Sequence, residues 1–380
     1  MRITPQLFWF ASALLLPLCG LSAQTVFDNG GGDNLWSNAT NWDPEDVPDG
    51  TADTVRLQGD PIVDGSFTVG FLQNAFGSSD ITVSGAGTLT IDRDSATAGD
   101  GLRNVAGNPG SRVTFSGNVT VDNTQGGITR FGYANSNSNG FEFASSSVLT
   151  LTDAIETATD GAGRYLTFNG AISGGTSGAG NLRIGADDEN ITFGSTADNT
   201  GYAGDIVFFA NASVVSNTSV AGGFLSSGSK VQVNGDGSTL TLGGAGGMQG
   251  NLVVDGTNAF TLDVDADQTA FGFINFSGAS PAGEITIDLD SAVSALHFAD
   301  SSGQDWGAST ISVSGFREST IRFGTDAGGL TSSQLSAIDG GLYTLTGSGY
   351  LTAIPEPRDS ALMLGTAVLA GLLLIRRRRA

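Results

Sequence analysis

The sequence has 380 residues, with 38 acidic against 16 basic side chains and a formal charge of −22. Nucleic acid is disfavoured as a partner, because binding it requires a basic surface. Cys19 is the only cysteine, and it lies in the predicted leader, so the rest of the chain offers no thiol for a disulfide or for catalysis. The 57 glycines, the 14% of charged residues and the 22 phenylalanines favour short strands and turns, and they are atypical of disordered chains.

The first 23 residues have the three parts of a secretory signal peptide. Arg2 gives a positive start, residues 7–18 are apolar, and small residues precede the predicted cleavage between Ala23 and Gln24. The apolar stretch is too short to be a stable membrane span. A lipoprotein variant would carry lipid on Cys19, but a large residue precedes that cysteine where a small one is usual. The sequence therefore predicts an exported chain with a cleavable leader.

Residues 24–354 consist of short runs that alternate apolar and polar side chains and end in glycine-rich turns, a pattern that predicts strands. Examples are the paired runs 81–84 and 88–92, 112–115 and 119–122, and 230–233 and 239–242. Their spacing fits a parallel β-helix or an antiparallel sandwich. We favour the β-helix, because turns rich in Gly, Asn and Asp suit coils of about 20 residues or slightly more. The predicted fold is an all-β, single-stranded right-handed parallel β-helix forming one domain, with a weak helical period at 332–338.

The middle of the body carries a family resemblance. Residues 170–175, 181–182, 190–194 and 199–207 are similar to the autotransporter-associated β-strand repeat. The match is loose, because a glycine precedes Tyr202 and an alanine follows it where that repeat has threonine. The resemblance implies a β-helical body.

Both ends of the body suggest caps. The segment around Trp36 and Trp42 resembles the opening of many secreted β-helical proteins, and the two indoles are expected to cover the apolar end of the solenoid. Residues 296–351 resemble a module that precedes the tail described below, and we expect them to close the other end.

Three carboxylates alternate with small apolar residues at Asp263, Asp265 and Asp267. On a strand, alternate side chains share one face. Such a row is either a solvated acidic face or a site for a hard cation such as Ca²⁺, held by carboxylate oxygens. Asp288 and Asp290 form a similar, smaller pair. No other cofactor is predicted.

Catalysis has little support in the sequence. His297 is the only histidine and lies between two apolar residues, as a half-buried structural histidine does. A nucleophilic triad lacks the Gly-x-Ser-x-Gly turn, and one histidine disfavours a histidine-based metal site. Glycosidic cleavage needs two positioned carboxylates, and the many acids of this chain do not single out a pair.

The last residues have three parts in order: Pro355-Glu356-Pro357, an uncharged stretch over 361–375, and four arginines, Arg376, Arg377, Arg378 and Arg379. A 15-residue helix rises about 22 Å, somewhat short of a hydrocarbon core, and snorkelling arginines make up the difference. The basic end is expected to stay cytoplasmic. A plain tail anchor with an incidental proline turn is the alternative.

This tail resembles the PEP-CTERM sorting signal. The resemblance implies that segment 355–380 holds the exported protein in the inner membrane through a helix over 361–375. It implies that an exosortase-type enzyme recognises Pro355, Glu356 and Pro357, cuts near them, and passes the protein to the surface of a bacterium that builds an exopolysaccharide matrix.

The sequence therefore predicts an exported cell-surface structural or adhesive protein, associated with exopolysaccharide and not an enzyme. The chain divides into 1–23, 24–354 and 355–380. Two alternatives stay open: a polysaccharide lyase or hydrolase on the same β-helix, and a glycan-binding module.

Overall fold

The computed structural model describes residues 24–75, 80–105, 110–133, 139–157, 164–176, 181–185, 190–278 and 282–354. Over these residues the chain forms a parallel β-solenoid of about 9 turns with almost no helix, which confirms the predicted all-β parallel solenoid. The predicted leader and the predicted membrane helix lie outside the described residues. Among those described, no helix has the length and apolar character needed to cross a membrane.

The described residues contain 31 strands and two short helices, the 3-10 turn η1 (Ala39–Asn41) and the α-helix α1 (Ser332–Ala337). In chain order the strands are β1 (Gln24–Phe27), β2 (Trp42–Asp43), β3 (Gly50–Leu57), β4 (Ser66–Asn74), β5 (Ile81–Val83), β6 (Thr88–Asp92), β7 (Gly99–Asn104), β8 (Arg112–Phe115), β9 (Asn118–Asp122), β10 (Thr129–Tyr133), β11 (Gly140–Phe143), β12 (Val148–Leu151), β13 (Ile155–Thr157), β14 (Tyr165–Phe168), β15 (Ala171–Gly174), β16 (Leu182–Ile184), β17 (Ile191–Phe193), β18 (Ile206–Phe208), β19 (Ser213–Ser216), β20 (Lys230–Val233), β21 (Ser238–Leu242), β22 (Asn251–Asp255), β23 (Ala259–Val264), β24 (Gln268–Phe271), β25 (Ile274–Ser277), β26 (Glu284–Leu289), β27 (Leu296–Phe298), β28 (Thr310–Ser314), β29 (Ile321–Phe323), β30 (Tyr343–Leu345) and β31 (Leu351–Ala353).

The strands stack into three faces. Face 1 joins the first half of β4 to β6, β9, β12 and β15, and it is taken up again near the C-terminal end by β24, β27 and β29. Face 2 runs from β3 through the second half of β4 to β7, β10, β13, β16, β18, β20, β22 and β25. Face 3 is a ten-stranded sheet from β5 to β28. Because β4 bends from one face to the next, faces 1 and 2 share a sheet.

The alternating pattern of the sequence fills the interior. Along β11 and β14, every second side chain is buried and the residues between them lie on the outside. In-register pairing then places the same residue type at the same position in successive turns. On face 3 the rings of successive turns are Phe115, Phe143, Phe168 and Phe193, with neighbouring ring centroids 5.1, 5.4 and 5.0 Å apart. Each buried ring contributes about 1.5–3 kcal/mol through removal of apolar surface from water.

Two caps close the apolar column. At the first turn the buried rings of Trp36 and Trp42 lie 4.8 Å apart, and Phe27 packs on Trp42 at 5.0 Å. At the other end Thr331 and Gln334 form a capping box on α1, and β30 pairs antiparallel with β31. The helical period predicted at 332–338 is confirmed by α1, whereas the first part of the predicted closing segment, 296–351, continues the solenoid through β27, β28 and β29.

Candidate functional site

A cleft of about 370 Å³ lies on the outside of β24, β27 and β29, on face 1 near the C-terminal end. Its polar lining consists of Thr269, His297, Asp300, Arg322, Thr325 and Asp326. The volume is within the range of pockets that hold small ligands, about 300–1,000 Å³.

The strand register brings the imidazole and guanidinium of the cleft together and places the Tyr350 ring beside them. His297 on β27 pairs in register with Arg322 on β29, and Arg322 forms an antiparallel bridge with Tyr350. Side chains alternate across a strand, so His297 and Arg322 lie outside while their neighbours point inward. The imidazole and phenol ring centroids are 5.6 Å apart, nearly perpendicular.

The floor of the cleft is rigid. Phe271, Phe298 and Phe323 are buried directly behind the outer row, and their successive ring centroids lie 4.8 and 4.9 Å apart. Packed aromatic side chains of this kind fix the strands that carry them. The outer side chains are therefore held on a firm base.

A bulge shapes the cleft beside the imidazole. Gln268 pairs with Leu296 and Phe271 with Phe298, so that Thr269 and Ala270 together oppose His297. A β-bulge of this kind places two residues against one and re-aims the local side chains. Both bulge residues are exposed, and their small side chains leave room next to the imidazole.

Arg322 is the main cation of the cleft. No Asp or Glu of the described residues forms an ion pair with it. Its Nε is buried without a hydrogen-bond partner, and its Cζ lies 5.8 Å from the centroid of the Tyr350 ring. The terminal nitrogens of the guanidinium, which form no ion pair within the described residues, therefore keep hydrogen-bonding capacity for an acceptor outside the protein.

The surroundings of the imidazole beside it favour its neutral form. Burial lowers the pKa of His297 below 6.5, and the nearby positive charge of Arg322 lowers it further, against the opposing effect of Asp267. A neutral imidazole can donate and accept a hydrogen bond at the same time.

Two carboxylates border the cleft in ordered turns. Asp300 Oδ1 accepts hydrogen bonds from the Ser302 hydroxyl at 2.6 Å and backbone N–H at 2.8 Å, and these bonds lower the pKa of Asp300. Asp326 Oδ1 accepts from the Gly328 N–H at 2.7 Å. Within the described residues, Oδ2 of each aspartate makes no hydrogen bond.

The structure separates the three aspartates of the predicted acidic row. Asp263 lies on the outer side of β23, where it pairs with Asp288. Asp265 follows the end of β23, and burial together with the charges of Asp263, Asp290 and Asp288 raises its pKa. Thus Asp263 and Asp265 belong with the second predicted pair.

Asp267 makes different contacts, at the start of β24. Its carboxylate accepts hydrogen bonds from the Ser294 N–H at 2.6 Å, the Ser294 hydroxyl at 2.7 Å and the Ala295 N–H at 2.9 Å. Burial acts to raise its pKa, but these bonds outweigh it and the pKa is lowered. Within the described ranges, no three His, Cys, Asp or Glu side chains form a group suited to a metal ion.

The other predicted site residues concern export. Gln24 is the exposed first residue of β1, in register with Thr54. Ala23, Pro355, Glu356, Pro357 and the terminal arginines lie outside the described residues.

Sequence reasoning examined His297 but missed Arg322 and Tyr350. A sequence pattern did point to them. Residues 296–298 and 321–323 share one order: an aliphatic residue, then a nitrogen-containing side chain (His297 or Arg322), then a phenylalanine. Only the strand register shows that these segments are neighbours.

Comparison with protein-family models, curated proteins and solved structures finds no significant match. The cleft combines one arginine, an imidazole and two carboxylates, with the Tyr350 ring packed beside them, and this arrangement suits a polar ligand that carries a negative charge.

Proposed function

We propose that the protein is an exported cell-surface structural or adhesive protein whose solenoid is displayed outside the cell and contacts exopolysaccharide. The observation that carries this proposal is the long solenoid with a filled interior. One apolar cluster runs from Phe27 to Leu351, so ligands and partners meet the outer faces. Those faces are largely short polar side chains, and 24–354 carries a formal charge of −26, since Arg2 adds +1 and 355–380 adds +3 to the total of −22. Such a surface keeps extended proteins soluble and apart.

The sequence ends supply the route to the surface in this proposal. The leader is cleaved after Ala23, and segment 355–380 holds the chain in the inner membrane through a helix over 361–375 with Arg376–Arg379 on the cytoplasmic side. An exosortase-type enzyme recognises Pro355, Glu356 and Pro357 and releases the solenoid. We also infer a right-handed course for the coil, the usual hand of crossovers between parallel strands.

A polysaccharide lyase is the second candidate, and one observation favours it. Next to Arg322, the pKa of His297 is lowered by burial and by the arginine charge, which favours the neutral imidazole that a general base requires. A lyase removes the proton on the carbon next to the uronate carboxylate. The negative charge that then develops is stabilised when a cation such as arginine neutralises the carboxylate. We favour the non-enzymatic role, because a fold and a single histidine do not by themselves provide catalysis.

Cell fractionation tests the proposed route. In a host with the exosortase, the chain should appear outside the inner membrane, shortened at both ends. Replacing Pro355, Glu356 and Pro357 by alanine should leave the longer, tail-bearing form in the inner membrane. The control replaces the adjacent Arg358, Asp359 and Ser360 by alanine and should be sorted normally. Equal sorting of both variants, or sorting in cells without the exosortase, contradicts the proposed route.

A further inference from the structure

We propose that the cleft beside His297 and Arg322 binds an anionic sugar, the uronate residue of an extended polysaccharide, with Arg322 holding the sugar carboxylate. The inference deepens the proposed function and rests on surface display only for the source of the sugar. It assigns a ligand class to named residues, which the fold alone does not.

Arg322 supplies the charge recognition. A planar guanidinium binds a carboxylate through two parallel hydrogen bonds, which gives orientation as well as affinity. In this structure the guanidinium has no ion-pair partner among the described residues, although the chain has many more acids than bases. The buried Nε faces away from solvent, so a ligand carboxylate would be held by the two terminal nitrogens of the guanidinium.

Rings and a firm floor suit the body of a sugar. The half-buried His297 ring lines the cleft, and the half-buried Tyr350 ring supports it from the side, nearly perpendicular and 5.6 Å away. The carbon-bound hydrogens of a pyranose form an apolar patch that gains by covering such a ring. Phe298 keeps the outer row in place from behind.

The border of the cleft suits hydroxyl groups. Asp300 and Asp326 each hold one carboxylate oxygen in their own turn and keep the other as an acceptor. Hydrogen bonds from hydroxyls to carboxylates are among the stronger ones. Thr269 and Thr325 line the same cleft and can donate or accept.

The same border selects against other anions. A phosphate monoester carries nearly two negative charges at neutral pH, so it would bring more charge than a carboxylate close to Asp300 and Asp326, and like charges repel. A simple carboxylate without hydroxyls would engage Arg322 but leave both aspartates without donors. A singly charged sugar ring meets all parts of the cleft.

Calorimetric titration of the full-length protein in mild detergent with a galacturonate trisaccharide tests the inference. The matched ligand is the same trisaccharide with methyl-esterified carboxyls, which keeps the rings and removes the charge. We expect binding of the free acid and at least tenfold weaker binding of the ester, about the worth of a hydrogen-bonded charge. Sodium acetate at the same concentration tests the carboxylate alone. Equal binding of acid and ester, equal binding of acetate, or no binding of the acid would each overturn the proposal.

Protein variants assign the binding to the cleft. Arg322→Gln should weaken binding of the acid at least about tenfold and abolish the preference over the ester, while Arg322→Lys should recover part of it because the charge is kept. Arg56→Gln is the control, since Arg56 is an outward arginine on β3 in the first turns, far along the chain from the cleft. Tyr350→Phe should bind as well as wild type, and Tyr350→Leu should bind more weakly. Unchanged binding by folded Arg322→Gln contradicts the assignment.

The outcome is separable from the fractionation experiment. Correct sorting without trisaccharide binding rejects the cleft and leaves the surface role standing. Binding by a protein that never leaves the inner membrane supports the cleft and rejects the route. Release of a product with a new carbon–carbon double bond supports binding at the cleft and rejects the non-enzymatic role.

Discussion

The outer surfaces of the central turns and of the last turns differ, although both come from the same alternation of inward and outward residues. In the central turns outward charges meet across neighbouring strands: Arg112 lies 2.8 Å from Glu142, and Arg130 lies 2.9 Å from Glu156. In the last turns His297 and Arg322 stack without a carboxylate in ion-pair contact among the described residues. One scaffold therefore carries outward arginines that pair within the protein, such as Arg112 and Arg130, and an outward arginine, Arg322, that the proposed ligand would pair with.

The largest expected effect comes from the interior that both regions share. Phe143 is buried, with its ring 5.1 Å from Phe115 and 5.4 Å from Phe168. Phe143→Ala should lower the free energy of unfolding by about 3–5 kcal/mol, since it leaves a cavity between neighbouring turns. Denaturant unfolding measures this. Phe316→Ala, at a partly buried ring near the C-terminal cap, should cost clearly less, and equal costs would contradict a continuous packed column.

The second effect concerns the closing cap beneath the last turns. The amide nitrogen of buried Gln334 donates to the Ser301 carbonyl at 2.7 Å and to the Gln304 carbonyl at 2.9 Å. Gln334→Ala should cost about 1–3 kcal/mol, because two carbonyl groups lose their donor. Thermal unfolding checks the shift. Exposed Ser332→Ala, on the same helix, should leave stability nearly unchanged, and a similar loss in both variants would argue against the cap.

The alternating pattern predicted which side chains fill the interior, as Leu89 and Ile91 on β6 illustrate. It did not predict the cleft, because the distance between Arg322 and Tyr350 depends on how the turns stack and not on spacing in one strand. The separation of the three aspartates of the predicted row has the same cause. Because β23 ends at Val264, Asp267 lies on the next face of the solenoid and not beside Asp263. Local period is a property of a segment, whereas a site on a solenoid is a property of register between segments.

The third effect measures the paired surface directly. A double-mutant cycle of Arg130→Gln and Glu156→Gln should give a coupling of about 0.2–1 kcal/mol, because the pair is partly solvated. Arg322→Gln should lower the free energy of unfolding by less than Arg130→Gln does, because it breaks no ion pair. Denaturant unfolding of the four proteins in the cycle and of the Arg322 variant gives both values. A coupling near zero, or a larger loss at Arg322, would reverse the contrast between the two surfaces.

The smallest effect concerns the acidic surface of face 3. The pKa of Asp265 is raised by burial and by neighbouring aspartates. As pH rises above 3.8, this carboxyl loses its proton more readily in the unfolded chain than in the folded one, so its ionisation lowers the free energy of unfolding. Asp265→Asn should therefore raise stability at neutral pH by roughly 0.5 kcal/mol or less, since the group is largely solvated. The gain should vanish below pH 3.8 and shrink in high salt. Asp46→Asn is a control at an exposed position in the first turns, and an equal gain there would point to net charge alone.

The most direct test of the contrast uses the fact that His297 is the only histidine in the chain. In protein carrying a tag without histidine, a ring-proton NMR signal of this imidazole can be assigned without ambiguity and reports on the cleft. We predict that it titrates below pH 6.5, as its burial and Arg322 require. With about 1 mM galacturonate trisaccharide, enough to occupy roughly half of a millimolar site, the signal should move in the wild type and in Arg56→Gln and should move only about a fifth as far in Arg322→Gln. A signal that stays in place in the wild type, or that moves equally in all three proteins, would contradict the account.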